Sequence, residues 1–76
     1  MPKPTEEELT KIENWFMYHQ PTPEQEEAYR MIRVAALTLA TTILEKCPAS
    51  ADRTAALRKL RECVATANAS IACAGK

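Results

Sequence analysis

The sequence predicts an all-α protein in which a short N-terminal helix precedes a long antiparallel helical hairpin. Apolar residues recur at steps of three and four, without the alternation of a β-strand. Helix-capping and helix-stopping signals divide this periodicity into three segments. We therefore expect a single domain over residues 1–76, with an arm helix and elbow at 1–21, long helices at 22–47 and 51–74, and a turn at 48–50.

The first helix is short. Thr5 and Glu8 have the spacing of a capping box, in which each side chain bonds the other residue's backbone amide. Leu9, Ile12 and Phe16 then provide a brief apolar face. The His-Gln-Pro sequence at 19–21 ends the segment and predicts an elbow.

The second helix is predicted to begin at Pro23, after the N-cap Thr22 and with Gln25 completing a second capping box. It should end at Cys47, because the residue before a proline is disfavoured in the helical conformation. Five apolar residues form its stripe: Tyr29, Ile32, Ala36, Leu39 and Ile43.

The third helix is predicted to begin after the N-cap Ser50, with Asp52 favoured by the helix dipole in the first turn. Gly75 provides a stop. Because the connection spans only a few residues, the two long helices should pack antiparallel. The stripe of this helix comprises Leu57, Leu60, Val64, Ala67, Ile71 and Ala74.

The size of the chain favours self-association. A chain of 76 residues that forms one hairpin and a short arm cannot bury all of its apolar stripes. Many of the stripe and neighbouring residues are alanines, which allow close helix approach but contribute little apolar volume. We therefore expect a homo-oligomer.

The net charge of zero conceals a division between the two parts of the chain. Residues 1–27 contain two lysines and seven glutamates, whereas residues 28–76 contain eight basic and three acidic side chains. Two interpretations remain open at this point. The acidic arm could lie along the basic hairpin, or the hairpin could bind a compact anion. Overall neutrality argues against a long nucleic acid as partner.

Several function classes lack their usual residues. Three cysteines without paired spacing and one histidine predict neither a metal site nor a disulfide framework, and we expect no cofactor. We also expect no enzymatic activity, because no nucleophile has a neighbouring base. The uncharged run Val34 to Leu44 is too short to span a membrane. Without a signal peptide, the expected location is a reducing cytoplasm.

Three segments of the chain resemble the phage anti-CBASS cyclic-oligonucleotide sponges, a family of small hairpin-domain proteins. The segments are WFMYHQPTPEQ at 15–25, YRMIRVAA at 29–36, and SADRTAALRKLRE at 50–62 followed by ANASIA at 67–72. The resemblance implies a hexamer that blocks bacterial CBASS immunity by sequestering second messengers in the host cytoplasm without cleaving them. Cyclic dinucleotides such as cyclic GMP-AMP would lie between protomers, and some members also bind cyclic trinucleotides.

The resemblance implies a cyclic-dinucleotide site comprising Tyr18, His19, Arg30 and Arg33. Tyr18 would stack on a base, His19 would add a hydrogen bond, and the guanidinium of Arg33 would bind phosphate. Each has a plainer alternative. Tyr18 could dock the arm on the hairpin, His19 could be a polar turn residue, and Arg33 could pair with Glu26 or Glu27.

A second site, for a trinucleotide, would comprise Arg53, Arg58, Asn68 and Ser70. The family pattern has a basic residue after the Ser-Ile-Ala step, where this chain has Cys73. Arg53 and Arg58 belong to a basic cluster with Lys59 and Arg61, and the alternative for this cluster is pairing with acidic arm residues and Glu62. For the whole chain, the alternative function is a small helical module that binds nucleic acid or another protein.

Overall fold

The computed structural model describes residues 2–76, and these form three α-helices without a β-strand. They are α1 (Glu6–Phe16), α2 (Pro23–Lys46) and α3 (Ala51–Ala72). Helices α2 and α3 pack against each other. Gln25 Nε2 near the start of α2 donates to the Ile71 carbonyl near the end of α3 at 3.0 Å, so the pair is antiparallel. The predicted all-α hairpin is confirmed.

The helix starts follow the predicted caps. Thr5 Oγ1 accepts from the Glu8 amide at 3.1 Å, and Glu8 Oε1 accepts from the Thr5 amide at 2.9 Å. Thr22 and Gln25 form the same reciprocal pair at the start of α2, with distances of 3.0 and 3.1 Å. Ser50 caps α3 by accepting from the Arg53 amide at 3.1 Å. Each cap satisfies amides that lack an intrahelical partner.

The hairpin turn is closed by Arg53. Helix α2 ends where Cys47 adopts an extended conformation, as its position before Pro48 predicts. Arg53 Nη1 then donates to the carbonyls of Leu44 and Cys47, at 3.4 Å each. The first turn of α3 thereby places a positive charge on the negative end of the α2 dipole.

Helix α3 ends at Ala72, two residues before the predicted end. The Gly75 amide donates to the Ser70 carbonyl at 2.9 Å, and the Ala74 amide donates to the Ile71 carbonyl at 3.1 Å. These two bonds define a Schellman motif. Ala74 occupies its left-handed position with φ of 53°. Ala74 therefore leaves the predicted stripe, and the left-handed position of the motif lies one residue before Gly75, the predicted stop residue.

The seam between α2 and α3 is formed by half-buried residues, and no side chain within residues 2–76 is fully buried. Most of the predicted stripe lies in this seam. Leu39 does not, because it is 49% exposed. Ala40 lies in the seam instead, because its small side chain fits between the closely packed helices. Leu39, the preceding residue, then lies on the flank of α2.

Helix α1 does not pack along either long helix. It extends from the end of the hairpin, and the molecule measures 50 × 38 × 14 Å, which is about one helix thick. Only two side chains of α1 bond the C-terminal segment. Asn14 Nδ2 donates to the Cys73 carbonyl at 3.4 Å, and Trp15 Nε1 donates to the Lys76 carbonyl at 3.2 Å. The interpretation that the arm lies along the hairpin is therefore wrong for a single chain.

Candidate functional site

The first turns of α2 border a surface depression of about 450 Å³. The Thr22 cap fixes where the helix begins, and positions 26, 30 and 33 then share a flank by their spacing of four and three. Two of the four predicted dinucleotide-site residues, Arg30 and Arg33, are thereby brought together. The lining residues are Pro23, Glu26, Glu27, Tyr29, Arg30 and Arg33.

Arg30 is held by Glu27 one helical turn away. Arg30 Nε donates to Glu27 Oε2 at 3.0 Å, and Arg30 Nη2 donates to Glu27 Oε1 at 2.6 Å. This two-pronged contact lowers the pKa of Glu27 below its usual value and raises the pKa of Arg30. Both groups stay charged near neutral pH and largely cancel each other, so Arg30 presents less free positive charge than its position suggests.

Arg33 differs from Arg30 because it has no carboxylate partner within residues 2–76. The alternative of a salt bridge from Arg33 to Glu26 or Glu27 is therefore not realised in the single chain. The side chain is exposed on the same flank of α2. Its planar guanidinium can accept a phosphate in a bidentate manner.

Tyr18 and His19 lie in the elbow between α1 and α2, outside the depression. Tyr18 is 79% exposed, and its hydroxyl donates to Gln20 Oε1 at 3.1 Å. Tyr18 therefore does not dock the arm on its own hairpin. His19 is half-buried, and its Nε2 donates to the Asn14 carbonyl at 2.6 Å, near the end of α1. His19 thus orders the elbow, while the Tyr18 ring remains open to a ligand.

The four residues of the predicted second site are spread along α3. Arg53 closes the hairpin turn, while Ser70 lies near the other end, about 25 Å away at 1.5 Å per residue. The Ser70 hydroxyl donates to the Ala67 carbonyl at 2.7 Å. A single chain therefore does not assemble this set into one pocket, and trinucleotide binding stays a prediction.

The basic cluster of α3 forms no ion pair with the arm. Within residues 2–76, Arg30 and Glu27 make the one salt bridge. The expected pairing of Arg53, Arg58, Lys59 and Arg61 with acidic arm residues and Glu62 is therefore wrong in the single chain. Arg58, Lys59 and Arg61 are exposed, whereas Arg53 bonds the last carbonyls of α2.

Asn68 is a polar residue placed in the helix seam. Its Oδ1 is shielded from solvent and has no hydrogen-bond donor within the described chain. Such an unsatisfied acceptor is destabilising in isolation. Asn68 is the one member of the predicted second site whose side-chain oxygen still lacks a partner among residues 2–76.

Two features of this surface were not predicted from the sequence. Tyr29 was assigned only to the helix seam, but it also lines the depression. Met31, Val34 and Leu37 were not assigned at all, although their spacing of three places them on one face. They are 61%, 51% and 68% exposed. The three-residue spacing could have identified this second apolar face.

Two general features of the described chain bear on its chemistry. No group of three histidine, cysteine, aspartate or glutamate residues within positions 2–76 could hold a metal ion. In the same range, every helix is either too short or too polar to cross a bilayer.

Comparison with protein families gives one match. The model of the Acb2/Tad1 hairpin domain matches residues 8–72, from within α1 to the last residue of α3. Searches of curated proteins and of solved structures found no significant match.

Proposed function

Because the chain belongs to the Acb2/Tad1 hairpin-domain family, whose role in phages is to bind cyclic oligonucleotides and counter CBASS immunity, we propose that it sequesters cyclic dinucleotides such as cyclic GMP-AMP. It leaves the messenger uncleaved, and it acts in the cytoplasm of the infected bacterium. Sequestration requires tight binding of a small cyclic diphosphate and no reacting group.

The observation that carries this proposal is the unpaired Arg33 at the edge of the α2 depression. A cyclic dinucleotide presents two phosphates and two flat bases. Arg33 supplies a guanidinium for a phosphate, and charge-assisted hydrogen bonds contribute about 1.5 to 3 kcal/mol. Tyr18 supplies an exposed aromatic ring, and base stacking contributes about 1 to 3 kcal/mol per base.

We expect the complete site to require more than one copy of the chain. Tyr18 lies outside the depression that contains Arg33. A two-fold interface would present each side chain twice to a ligand that is itself nearly two-fold. The hexamer that the family resemblance implies provides such interfaces, and large exposed apolar residues such as Phe16 (83%) and Leu37 (68%) support assembly.

Assembly is also the route by which a trinucleotide site could form. The predicted second-site residues are spread along α3 of one chain: Arg53, Arg58, Asn68 and Ser70. A compact site would therefore need such residues from different protomers to come together. Cyclic trinucleotides therefore remain candidate ligands beside cyclic dinucleotides.

Titration calorimetry of substituted proteins tests the dinucleotide site. We expect Tyr18→Ala and Arg33→Ala each to weaken cyclic GMP-AMP binding at least fivefold, because each removes an interaction of about 1 to 3 kcal/mol. Tyr18→Phe keeps the aromatic ring and should bind nearly as the wild type does. Lys46→Ala removes an exposed charge at the far end of α2 and serves as the control. Wild-type affinity in both alanine variants would refute the site.

A further inference from the structure

The elbow between α1 and α2, residues 17–22, presents two side chains together on its outer side. The backbone is extended at both ends of the elbow. Tyr18 and Gln20 are exposed, whereas His19 and Pro21 are half-buried. This alternation is that of an extended chain, in which successive side chains point to opposite sides. Tyr18 and Gln20 therefore share the solvent-facing side of the elbow.

The conformation of the elbow is restrained at the residues between and beside these two side chains. On the inner side, His19 Nε2 bonds the Asn14 carbonyl at 2.6 Å. Gln20 precedes Pro21, and the residue before a proline is restricted to extended conformations. The outer side of the elbow is therefore a defined surface on which Tyr18 and Gln20 keep their relative position.

The side-chain amide of Gln20 is oriented by Tyr18. The Tyr18 hydroxyl donates to Gln20 Oε1 at 3.1 Å. Gln20 Nε2 carries two N–H donors, and neither has a partner in the part of the chain that the structure describes. With its oxygen turned to the hydroxyl, the amide offers its NH2 group to a ligand.

Purine bases differ in the hydrogen-bonding groups along one edge. Guanine presents two acceptors there, N7 and O6, whereas adenine presents the acceptor N7 and the donor N6. A glutamine amide with both ends free is typical of adenine recognition, because it donates to N7 and accepts from N6. An amide whose oxygen is turned to a hydroxyl instead offers donors, which match the two acceptors of guanine.

We propose that Gln20 is a specificity-determining residue that selects guanine over adenine in the bound cyclic dinucleotide. The inference rests on the proposed function and names its substrate class, the cyclic dinucleotides that contain guanine. A purine is wider than the phenol ring, so a base stacked on Tyr18 extends past the hydroxyl to the Gln20 amide. Gln20 Nε2 then donates to guanine, whereas the N6 group of adenine faces another donor, which leaves both groups unsatisfied.

Titration calorimetry with cyclic di-GMP and cyclic di-AMP tests this role, and the readout is the ratio of the two dissociation constants. We expect the wild type to bind cyclic di-GMP about fivefold more tightly or better, because the adenine ligand loses a hydrogen bond and leaves a donor unpaired.

Two substitutions of Gln20 separate its donors from its bulk. Gln20→Met has a side chain of similar length without donors, so the ratio should fall to about one while affinity for cyclic di-AMP stays within about twofold of the wild type. Gln20→Arg supplies donors without an acceptor and should keep the guanine preference. Glu45→Met places the same methionine at an exposed position near the far end of α2 and should keep the wild-type ratio.

Three results would overturn the role of Gln20. One is a wild-type ratio near one, or a ratio that favours cyclic di-AMP. Another is a Gln20→Met protein that keeps the wild-type ratio or loses both ligands, since a residue that only positions Tyr18 predicts equal effects. The third is a Gln20→Arg protein without guanine preference. In these cases the wild type still binds cyclic dinucleotides, whereas a wild type that binds neither ligand contradicts the proposed function as well.

Discussion

Glu8 and Gln25 occupy equivalent positions in two capping boxes, but only Glu8 can lose a charge. The bond from the Thr5 backbone amide, and secondarily the Thr5 side chain, lowers the pKa of Glu8 below its ordinary value of 4.5. The stabilisation of α1 that this bond provides is therefore fully present above about pH 4.5 and is lost as pH falls through the lowered pKa. The Gln25 box at the start of α2 has no such dependence.

We predict that acid weakens the cap of α1 through Glu8. Below pH 4.5 the Thr5 amide should lose its hydrogen bond, because the protonated carboxyl is a poorer acceptor. NMR titration of the Thr5 amide from pH 6 to pH 2 measures the loss, with the Thr22 amide as internal reference. In Glu8→Gln the cap should persist, and the pH-dependent change in the chemical shift of the Thr5 amide should largely disappear. An identical titration in Glu8→Gln and wild type would contradict this assignment.

At the residue scale, the caps were predictable and the charge partners were not. Thr5, Thr22 and Ser50 bond amides only three residues away, so the local sequence determines them. The contact between Arg30 and Glu27 was missed because the flank of α2 offers several carboxylates, and spacing alone does not choose among them. Arg53 was assigned to a ligand, but it bonds the last carbonyls of the preceding helix.

At the scale of single elements, the end of α3 carries identifiable strain. Ala74 adopts the left-handed conformation that closes the Schellman motif, where its Cβ is unfavourable. Glycine avoids that cost. The glycine that the sequence does provide, Gly75, lies one position further along.

We predict that Ala74→Gly stabilises the protein by about 1 kcal/mol, because it relieves this strain. Ala69→Gly, an exposed position within α3, should instead destabilise by about 1 kcal/mol. Thermal unfolding of both variants, followed by circular dichroism, measures the two effects. A destabilised Ala74→Gly protein would refute the proposed ending of α3.

Helix positions followed from the sequence because stop signals and apolar stripes agreed with each other. Cys47-Pro48 and the Ser50 cap located the hairpin turn to within one residue: it was predicted at 48–50, and the connection between α2 and α3 spans 47–50. The exchange of Leu39 for Ala40 in the seam could not be predicted, because both are apolar and neighbouring, and only packing against α3 distinguishes them. The end of α3 was misplaced because glycine is the usual but not the only left-handed residue.

At the scale of the whole molecule, the sequence did not indicate where the arm lies. An apolar stripe such as Leu9, Ile12 and Phe16 predicts that this face of the helix packs against an apolar surface. It does not indicate whether that surface belongs to the same chain. The structure leaves this face uncovered. Tyr18 and Arg33 are separated in the single chain because Tyr18 lies in the elbow next to α1, and α1 does not pack on the hairpin.

Native mass spectrometry of the wild-type protein with cyclic GMP-AMP tests the central claim most directly. We expect a species of six times the 8.5 kDa chain mass that carries bound ligand, and release of the ligand by heat should return it with its mass unchanged. An 8.5 kDa monomer, an assembly that binds neither cyclic dinucleotides nor cyclic trinucleotides, or recovery of a linear product would contradict the account.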